Sequence, residues 1–433
     1  MNNKLYSVFS LIAIIFFGCT RSANPGVTII PKDSSLVNLQ HLEHLYTPVT
    51  FSSGTPAAGV YIYADAPDYR LVPASGEGFT CVDDVARAAL VYLRSPQLSS
   101  DTALQNKLIN LLSFVLEMQS PNGYFYNFLF ESGLINKSGA TSVDSPNWWS
   151  WRALQALTES IPYLQNANAA MASKATSSVN KLVENIRRDF GSLPLTTKTV
   201  SGVDVPQWLP VGSGTDQAAL MIIGLINHYN NVHDESVKDI VKRLSDGIKL
   251  MQQGDSVAAP YGAFLSWENT WHAYGNIQSY ALIHAADFLN DTQYLNSALT
   301  EIDHFYSWQL ANKLINSFEI SKGGQAIQLL NVKEFDQIAY GIEPMFFAAL
   351  EAFRVTHNAK YADMAGHIAA WLFGGNAGNA RMYDEKTGRC FDGLSSGGAV
   401  NKNAGAESTI EALLILQQVE RSPEIKKAMN AYR

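Results

Sequence analysis

Some residue types and motifs are scarce in this chain, and their scarcity excludes whole classes of protein. Only three cysteines occur among 433 residues, with no HExxH or CxxC motif, so we expect no structural zinc site. Runs rich in lysine and arginine are missing and the formal net charge is −8. This argues against a nucleic-acid partner, because such binding needs basic surface to neutralise phosphates. We therefore expect neither a metal, nor another cofactor, nor nucleic acid.

The apolar run at the N-terminus, Leu11–Phe17, is too short to span a bilayer as a mature helix. It follows Lys4 and ends in a glycine and Cys19, an order of features typical of a signal peptide. A small residue before cysteine resembles the junction of a bacterial lipoprotein signal, where the cysteine is lipidated and becomes the first mature residue. We predict a signal peptide over residues 1–18, a tether over 19–35, and an exported protein anchored to a membrane, facing the periplasm or the cell exterior. An ordinary signal with a chance cysteine is the alternative.

The chain does contain a repeat. Six times, about every 65 residues, a polar or acidic cluster opens a helix rich in Ala, Leu and Ile, and a fixed period of this kind is typical of repeat architectures. More polar amphipathic segments lie between the openings, so each unit is predicted as a hairpin of one buried and one half-exposed helix. Six such hairpins closed into a ring make an all-α (α/α)6 toroid over residues 36–433, with a few short strands in its rim loops. The openings lie near Asp84, Trp149, Asp216, Gln278, Glu343 and Glu407.

The half-exposed helices show apolar residues at helical spacing. Ile240, Leu244, Ile248 and Met251 form one apolar face between lysines and arginines. The same periodicity predicts outer helices over residues 103–119, 169–189, 235–252, 293–311 and 360–373.

The connections from outer to inner helices are long, and long loops retained in a compact fold are often functional. They place helix N-termini, with their free N–H groups, around a shared cavity. A cleft with aromatic side chains and carboxylates suits sugars, and packing of the tryptophans is the alternative. The residues we predict to bind substrate here are Trp148, Trp149, Asp216, Trp267 and Trp271.

Carboxylates at the helix openings are the catalytic candidates. Asp83 and Asp84 are adjacent, and an N-cap needs only one of them. Arg87, one turn later, could hold one of these carboxylates ionised, and it could also contact the substrate. Glu343 precedes a proline that can be the first helical residue, and Glu is a poor N-cap. Glu407 lies in a first turn, where an acid also favours the helix dipole. We prefer Asp84 with Glu343 and keep Asp83 and Glu407 as alternatives.

His272 and Tyr274 form a second cluster. Such side chains could neutralise and deprotonate a sugar acid, which is the chemistry of a polysaccharide lyase; simple substrate binding by His272 is the alternative. Cys81 and Cys390 precede the first and the sixth inner helix, which are neighbours in a closed ring. They could form a disulfide in an exported protein or remain two free thiols.

The openings DDVARAAL and NAGAESTIEALLIL resemble those of the six-hairpin glycosidase superfamily of (α/α)6 toroids, which includes hydrolases, lyases and sugar epimerases. Export argues against an epimerase of cytoplasmic intermediates. The first hypothesis is a glycoside hydrolase that cleaves an oligo- or polysaccharide by inversion with a carboxylate acid/base pair. The alternatives are a lyase that uses Tyr274 and His272, and a carbohydrate-binding lipoprotein without catalysis.

The lipid anchor can be tested by one substitution. We expect Cys19→Ser to move the protein from the membrane pellet to the soluble fraction, because the acylated side chain is lost while the toroid stays folded. Fractionation by ultracentrifugation measures this, and unchanged pelleting would place the anchor elsewhere.

Overall fold

Six long helices, buried over most of their length, form a ring at the centre of the protein. The computed structural model describes residues 35–324 and 326–433, and residues from Ser35 onward form one compact unit. In this described part the helices, in chain order, are α1 (Gln40–Leu45), α2 (Val82–Leu93), α3 (Thr102–Glu117), α4 (Trp148–Ala167), α5 (Ala169–Phe190), α6 (Thr215–Val232), α7 (Val237–Leu250), α8 (Gln278–Leu289), α9 (Thr292–Glu301), α10 (Ser307–Ala311), α11 (Ala339–Thr356), α12 (Ala359–Ala369), α13 (Ala406–Arg421) and α14 (Pro423–Tyr432).

The ring is closed by contacts between consecutive inner helices. Helix α2 packs on α4, α4 on α6, α6 on α8, α8 on α11, α11 on α13, and α13 returns to α2. Each inner helix also packs on the helix that follows it, so α3, α5, α7, α9, α12 and α14 form the outer layer. The predicted all-α (α/α)6 toroid of six hairpins is confirmed.

Burial follows the two positions in the ring. Inner helix α6 is buried on nearly every side from Thr215 to Ile226, because it touches inner neighbours on both flanks and its own outer helix behind. Outer helix α7 buries Ile240, Leu244 and Ile248 and leaves Lys242 exposed, as its amphipathic pattern predicts.

Two outer segments differ from the predicted single helices. The segment 293–311 is α9, a π-helical turn over Ile302–Tyr306 and then α10. The segment 360–373 is α12 followed by a 3-10 turn, Ala370–Leu372. Helix α1 was not predicted, and no bounds were predicted for the sixth outer helix, α14.

The strands are mostly short and lie in the connections. They are β1 (Tyr46–Thr50), β2 (Pro56–Val60), β3 (Tyr63–Asp65), β4 (Arg70–Val72), β5 (Thr80–Cys81), β6 (Phe128–Leu129), β7 (Thr197–Val200), β8 (Val203–Pro206), β9 (Gln252–Gln253), β10 (Ala263–Phe264), β11 (Thr270–His272), β12 (Ser317–Gly323), β13 (Ala326–Lys333), β14 (Tyr383–Asp384), β15 (Arg389–Cys390), β16 (Gly393–Ser395) and β17 (Ala399–Asn401). They pair antiparallel as β1–β2, β3–β4, β5–β6, β7–β8, β9–β10, β14–β15, β16–β17 and the three-stranded β11–β12–β13. The long β12–β13 hairpin was not predicted.

The predicted signal peptide, Cys19 and all but the last residue of the tether lie outside the described residues. Within the part of the chain that is described, none of the helices combines the length and the apolar character needed to cross a membrane.

The tight seam between α4 and α6 allows a test of the packing. A methyl group at Gly224 would lie 2.5 Å from Cγ of Leu154, so Gly224→Ala must shift the neighbouring helix. Overpacking of this kind costs about 1–3 kcal/mol, whereas an unhindered Gly-to-Ala change in a helix stabilises by about 1 kcal/mol. We expect the free energy of unfolding in denaturant to fall. Ser177→Ala, exposed on α5, is the control and should change it by less than about 0.5 kcal/mol; a more stable Gly224→Ala would show that the seam has room.

Candidate active site

A cavity of about 490 Å³ lies at the end of the ring where α2 and α13 begin. We call it the carboxylate cavity because its charged lining residues are nearly all acidic. Loops before α11 and α13 supply part of the wall. The charged residues that line it are Asp83, Asp84, Arg87, Asp336, Asp392 and Glu407.

Local geometry at the start of α2 leaves both aspartates available for other contacts. The N-cap is Cys81, whose Sγ accepts a hydrogen bond from the backbone N–H of Asp84. Asp83 and Asp84 therefore occupy the first turn without being the cap. The backbone N–H of Asp83 donates to Oδ1 of Asn127 at 3.2 Å, so the loop before α4 also holds this turn.

Arg87 lies at the centre of the site and is 2% exposed. Its Nη2 is 2.8 Å from Oδ1 of Asp84 and 3.6 Å from Oε2 of Glu407. Its Nε is 3.5 Å from Oδ1 of Asp83, and its Nη1 pairs with Oε1 of Glu411. Burial alone would lower the pKa of Arg87, but the carboxylates around it, Asp83 and Glu411 foremost, raise that pKa well above its usual value. One guanidinium therefore contacts four carboxylates.

A second buried arginine supports the same cluster. Nε of Arg152 lies 3.3 Å from Oδ1 of Asp83, and its Nη2 donates to the hydroxyl of Tyr340 at 2.9 Å. The ring of Tyr340 packs against both guanidiniums, 4.9 Å from Cζ of Arg87 and 5.4 Å from Cζ of Arg152. Sequence analysis missed Arg152, Tyr340 and Glu411. A charged residue inside an otherwise apolar inner helix was the available signal for Arg152 and Glu411.

The cavity walls shift the pKa values of two carboxyl groups by different amounts. Burial raises the pKa of Asp84 to about 6, with Arg87 opposing the shift and Asp83 adding to it. Burial raises the pKa of Glu407 to about 8, with Arg87 opposing the shift and Asp84 adding to it. The side chain of Glu407 is 41% exposed, and this exposed part belongs to the wall of the carboxylate cavity.

Glu343 does not occupy the predicted place. Helix α11 begins at Ala339, so Pro344 lies inside the helix instead of starting it. Glu343 is 8% exposed and is not among the residues that line the carboxylate cavity. Burial raises the pKa of Glu343 to about 8, and the nearby Glu411 adds to the shift. The predicted pairing of Asp84 with Glu343 across one cavity is therefore not found, because the helix starts earlier and carries Glu343 into the buried layer.

Two of the predicted substrate-binding tryptophans are core residues. Trp149 is 5% exposed and its Nε1 donates to the carbonyl of Phe125. Trp271 is fully buried, stacked on Phe318 and edge-on to Phe305. Both predictions are wrong because the long connections fold back and bury these rings. Trp148 is partly buried against the core, and Trp267 is 43% exposed.

The second predicted cluster is assembled but lies outside the carboxylate cavity. Nε2 of His272 is 3.2 Å from Oδ2 of Asp216, and its Nδ1 is 2.9 Å from the carbonyl of Tyr274. The rings of His272 and Tyr274 stack at 3.8 Å. Tyr274 is 43% exposed and lines a separate cavity of about 240 Å³, which we call the side cavity.

The disulfide alternative is wrong in this structure, since Cys81 and Cys390 are both free and buried. Each sulfur has a different neighbour. The thiol of Cys81 donates to Oδ2 of Asp84 at 3.3 Å, and that of Cys390 donates to the carbonyl of Phe391 at 3.7 Å. Within residues 35–324 and 326–433, no group of three or more His, Cys, Asp or Glu side chains is placed to hold a metal ion.

Comparison with known proteins identifies the fold. No family model and no curated protein matches the chain. Among solved structures, the cellobiose 2-epimerase of Spirochaeta thermophila DSM 6192 aligns with a TM-score of 0.60 at 12% identity, over 90% of this chain and 94% of that one. The cellobiose 2-epimerase of Bacillus thermoamylovorans B4167 aligns with a TM-score of 0.58 at 13% identity, over 84% and 92%. A sugar epimerase from a ruminal bacterium aligns with a TM-score of 0.59 at 12% identity, also over 84% and 92%. These structures share the (α/α)6 toroid fold of this chain.

Proposed function

We propose that this protein is a glycoside hydrolase in which Glu407 is the general acid and Asp84 is its ionised partner. The observation that carries the proposal is that both carboxyl groups line the carboxylate cavity and both contact Nη2 of Arg87. Glycosidases in general use two carboxyl groups on either side of the scissile bond. Arg87 fixes the two groups relative to each other.

The pKa values assign the two roles. Asp84, with a pKa of about 6, is mostly ionised at pH 7, whereas Glu407, with a pKa of about 8, is mostly protonated. Environments that push the pKa values of two carboxyl groups apart are a general way to obtain an acid and an anion at neutral pH. Glu407 can then protonate the leaving oxygen while Asp84 acts on the anomeric carbon or on water.

The two carboxyl groups lie close together around one nitrogen of Arg87. Oδ1 of Asp84 and Oε2 of Glu407 lie 2.8 Å and 3.6 Å from the same nitrogen. These two oxygens therefore lie on one guanidinium nitrogen and can be no farther apart than the sum of the two distances. In the retaining mechanism Asp84 attacks the anomeric carbon, and Glu407 then removes a proton from the water that releases the sugar.

The charge of the cavity favours neutral or basic sugars. Five carboxyl groups line it, and its one cationic lining residue, Arg87, is already paired with carboxylates. A uronate would meet repulsion there, which argues against the lyase. Burial and Asp216 also raise the pKa of Tyr274, so this hydroxyl is a weaker candidate base, and both ring nitrogens of His272 already face oxygens.

A sugar epimerase is the second candidate, because the solved structures described above include sugar epimerases with this fold. Product analysis separates the functions. The purified protein is incubated with neutral, amino and uronate-containing oligosaccharides. New reducing ends indicate a hydrolase, unsaturated products that absorb in the ultraviolet indicate a lyase, and an epimer of unchanged size indicates an epimerase. Binding of an oligosaccharide without formation of any product would indicate a carbohydrate-binding protein. The anomer released first, observed by NMR, distinguishes retention from inversion.

We also propose that the protein is an exported lipoprotein anchored through Cys19. Support comes from the sequence alone: Lys4, the apolar run and the glycine–cysteine junction. The fractionation of Cys19→Ser tests it.

Substitution of the two carboxyl groups tests the assignment. We expect Glu407→Gln and Asp84→Asn each to lower kcat by about 10²- to 10⁴-fold, the usual contribution of a general acid or base, with circular dichroism unchanged. Glu184→Gln, an exposed carboxylate on α5, is the matched control and should leave kcat as it is. Full activity in either site variant would remove that residue from the mechanism.

The pH dependence of kcat/KM should be bell-shaped. Activity should fall below about pH 6 as Asp84 gains a proton, and above about pH 8 as Glu407 loses one. Initial rates across about pH 4–10 measure the two limbs. In Glu407→Gln, assayed with a glycosyl fluoride that needs little acid assistance, the alkaline limb should disappear. An alkaline limb that persists would assign it to another group.

A further inference from the structure

The side cavity adjoins the carboxylate cavity. Asp336 and Ile338, in the segment that leads into α11, line both. The two cavities differ in character, since the side cavity is lined largely by apolar side chains such as Leu314, Ile342 and Met345. A molecule that occupies the carboxylate cavity therefore has an apolar compartment next to it.

Tyr274 is a rigid aromatic surface in the side cavity. His272 covers it at 3.8 Å with an interplanar angle of 9°. His272 is itself held by Asp216 at 3.2 Å and by the carbonyl of Tyr274 at 2.9 Å. Tyr274 nevertheless remains 43% exposed. A large ring that is both supported from behind and open to a cavity is preorganised to stack on a ligand ring.

The aromatic surface is close to the catalytic cluster. The ring of Tyr274 lies 6.4 Å from that of Tyr340, and the ring of Tyr340 lies 4.9 Å from Cζ of Arg87. The centre of the Tyr274 ring is therefore no farther from Cζ of Arg87 than the sum of these two distances. One ligand of more than one sugar unit can therefore contact both.

We propose that Tyr274 is the stacking platform of a second sugar subsite, in which the apolar face of the sugar next to the scissile bond packs on the tyrosine ring. This inference rests on the proposed hydrolase and names its substrate class: oligosaccharides, with one unit in the carboxylate cavity and the next in the side cavity. His272 is a positioning residue that holds the ring in place.

The experiment compares two substrates that differ in whether they fill the second subsite. A glycosyl fluoride occupies the carboxylate cavity alone, whereas a trisaccharide of the same sugar also reaches Tyr274. We expect Tyr274→Ala to lower kcat/KM for the trisaccharide by about three- to tenfold, the usual range for an aromatic stack, and to leave the fluoride unaffected. Tyr274→Phe should behave as the wild type, because stacking needs the ring and not the hydroxyl.

Tyr432 provides a matched control. It is 39% exposed and stacks on His367 at 3.9 Å, but it lies on outer helix α14 and lines neither cavity. Tyr432→Ala should leave kcat/KM unchanged for both substrates. An equal loss on both substrates in Tyr274→Ala, or no loss on either, would overturn the subsite.

Calorimetric binding to Glu407→Gln separates failure of the subsite from failure of the hydrolase. If the wild type cleaves nothing but the trisaccharide binds more tightly than the monosaccharide, and Tyr274→Ala removes that difference, the subsite stands and the hydrolase does not. If cleavage occurs but Tyr274→Ala keeps the preference for the trisaccharide, the hydrolase stands and the subsite does not. No binding of either sugar overturns both.

Discussion

The Arg87 guanidinium, in contact with four carboxylates, is the interaction on which the site depends. Asp83 and Asp84 come from its own helix, and Glu407 and Glu411 come from α13. It therefore joins the first and last hairpins of the ring. Removing one partner of a buried pair is costly, typically about 3–5 kcal/mol, since it leaves an uncompensated charge. The same contacts thus hold the seam closed and the cavity in shape.

Burial, opposed by the nearby arginines, raises the pKa values of three carboxyl groups in this cluster. Asp83, Asp84, Glu343, Glu407 and Glu411 surround two arginines, Arg87 and Arg152. The pKa rises to about 6 for Asp84 and to about 8 for Glu343 and Glu407, so the last two hold protons at neutral pH. Glu407, which reaches the cavity, can pass its proton to a ligand. Glu343 is buried and does not line the cavity.

The ring and most of its helices could be predicted from sequence because the repeat fixes which segments pack together, and each apolar stripe follows from the 3.6-residue period. Three of the site carboxylates, Asp83, Asp84 and Glu407, were found because they stand at helix openings. The burial of Trp149 and Trp271 could not be predicted, since it depends on how long connections fold back over the rim. Arg152 and Glu411 lie farther along their helices, where only the closed ring shows that they face the same cluster. Cys81 and Cys390 precede neighbouring inner helices, as the ring predicts. Their thiols are nevertheless free, because neighbouring helices alone do not bring two side chains into contact.

Closure of the ring by α13 on α2 has a consequence for the order of assembly. The contact between Arg87 and Glu411 spans 324 residues, so it joins segments that are synthesised far apart in time. Contacts of such separation form late in folding, because the entropy of closing a long loop must first be overcome. The earlier hairpins can stack on one another as they emerge, but the cavity has no wall on one side until α13 arrives. The carboxylate cavity is therefore completed late in folding.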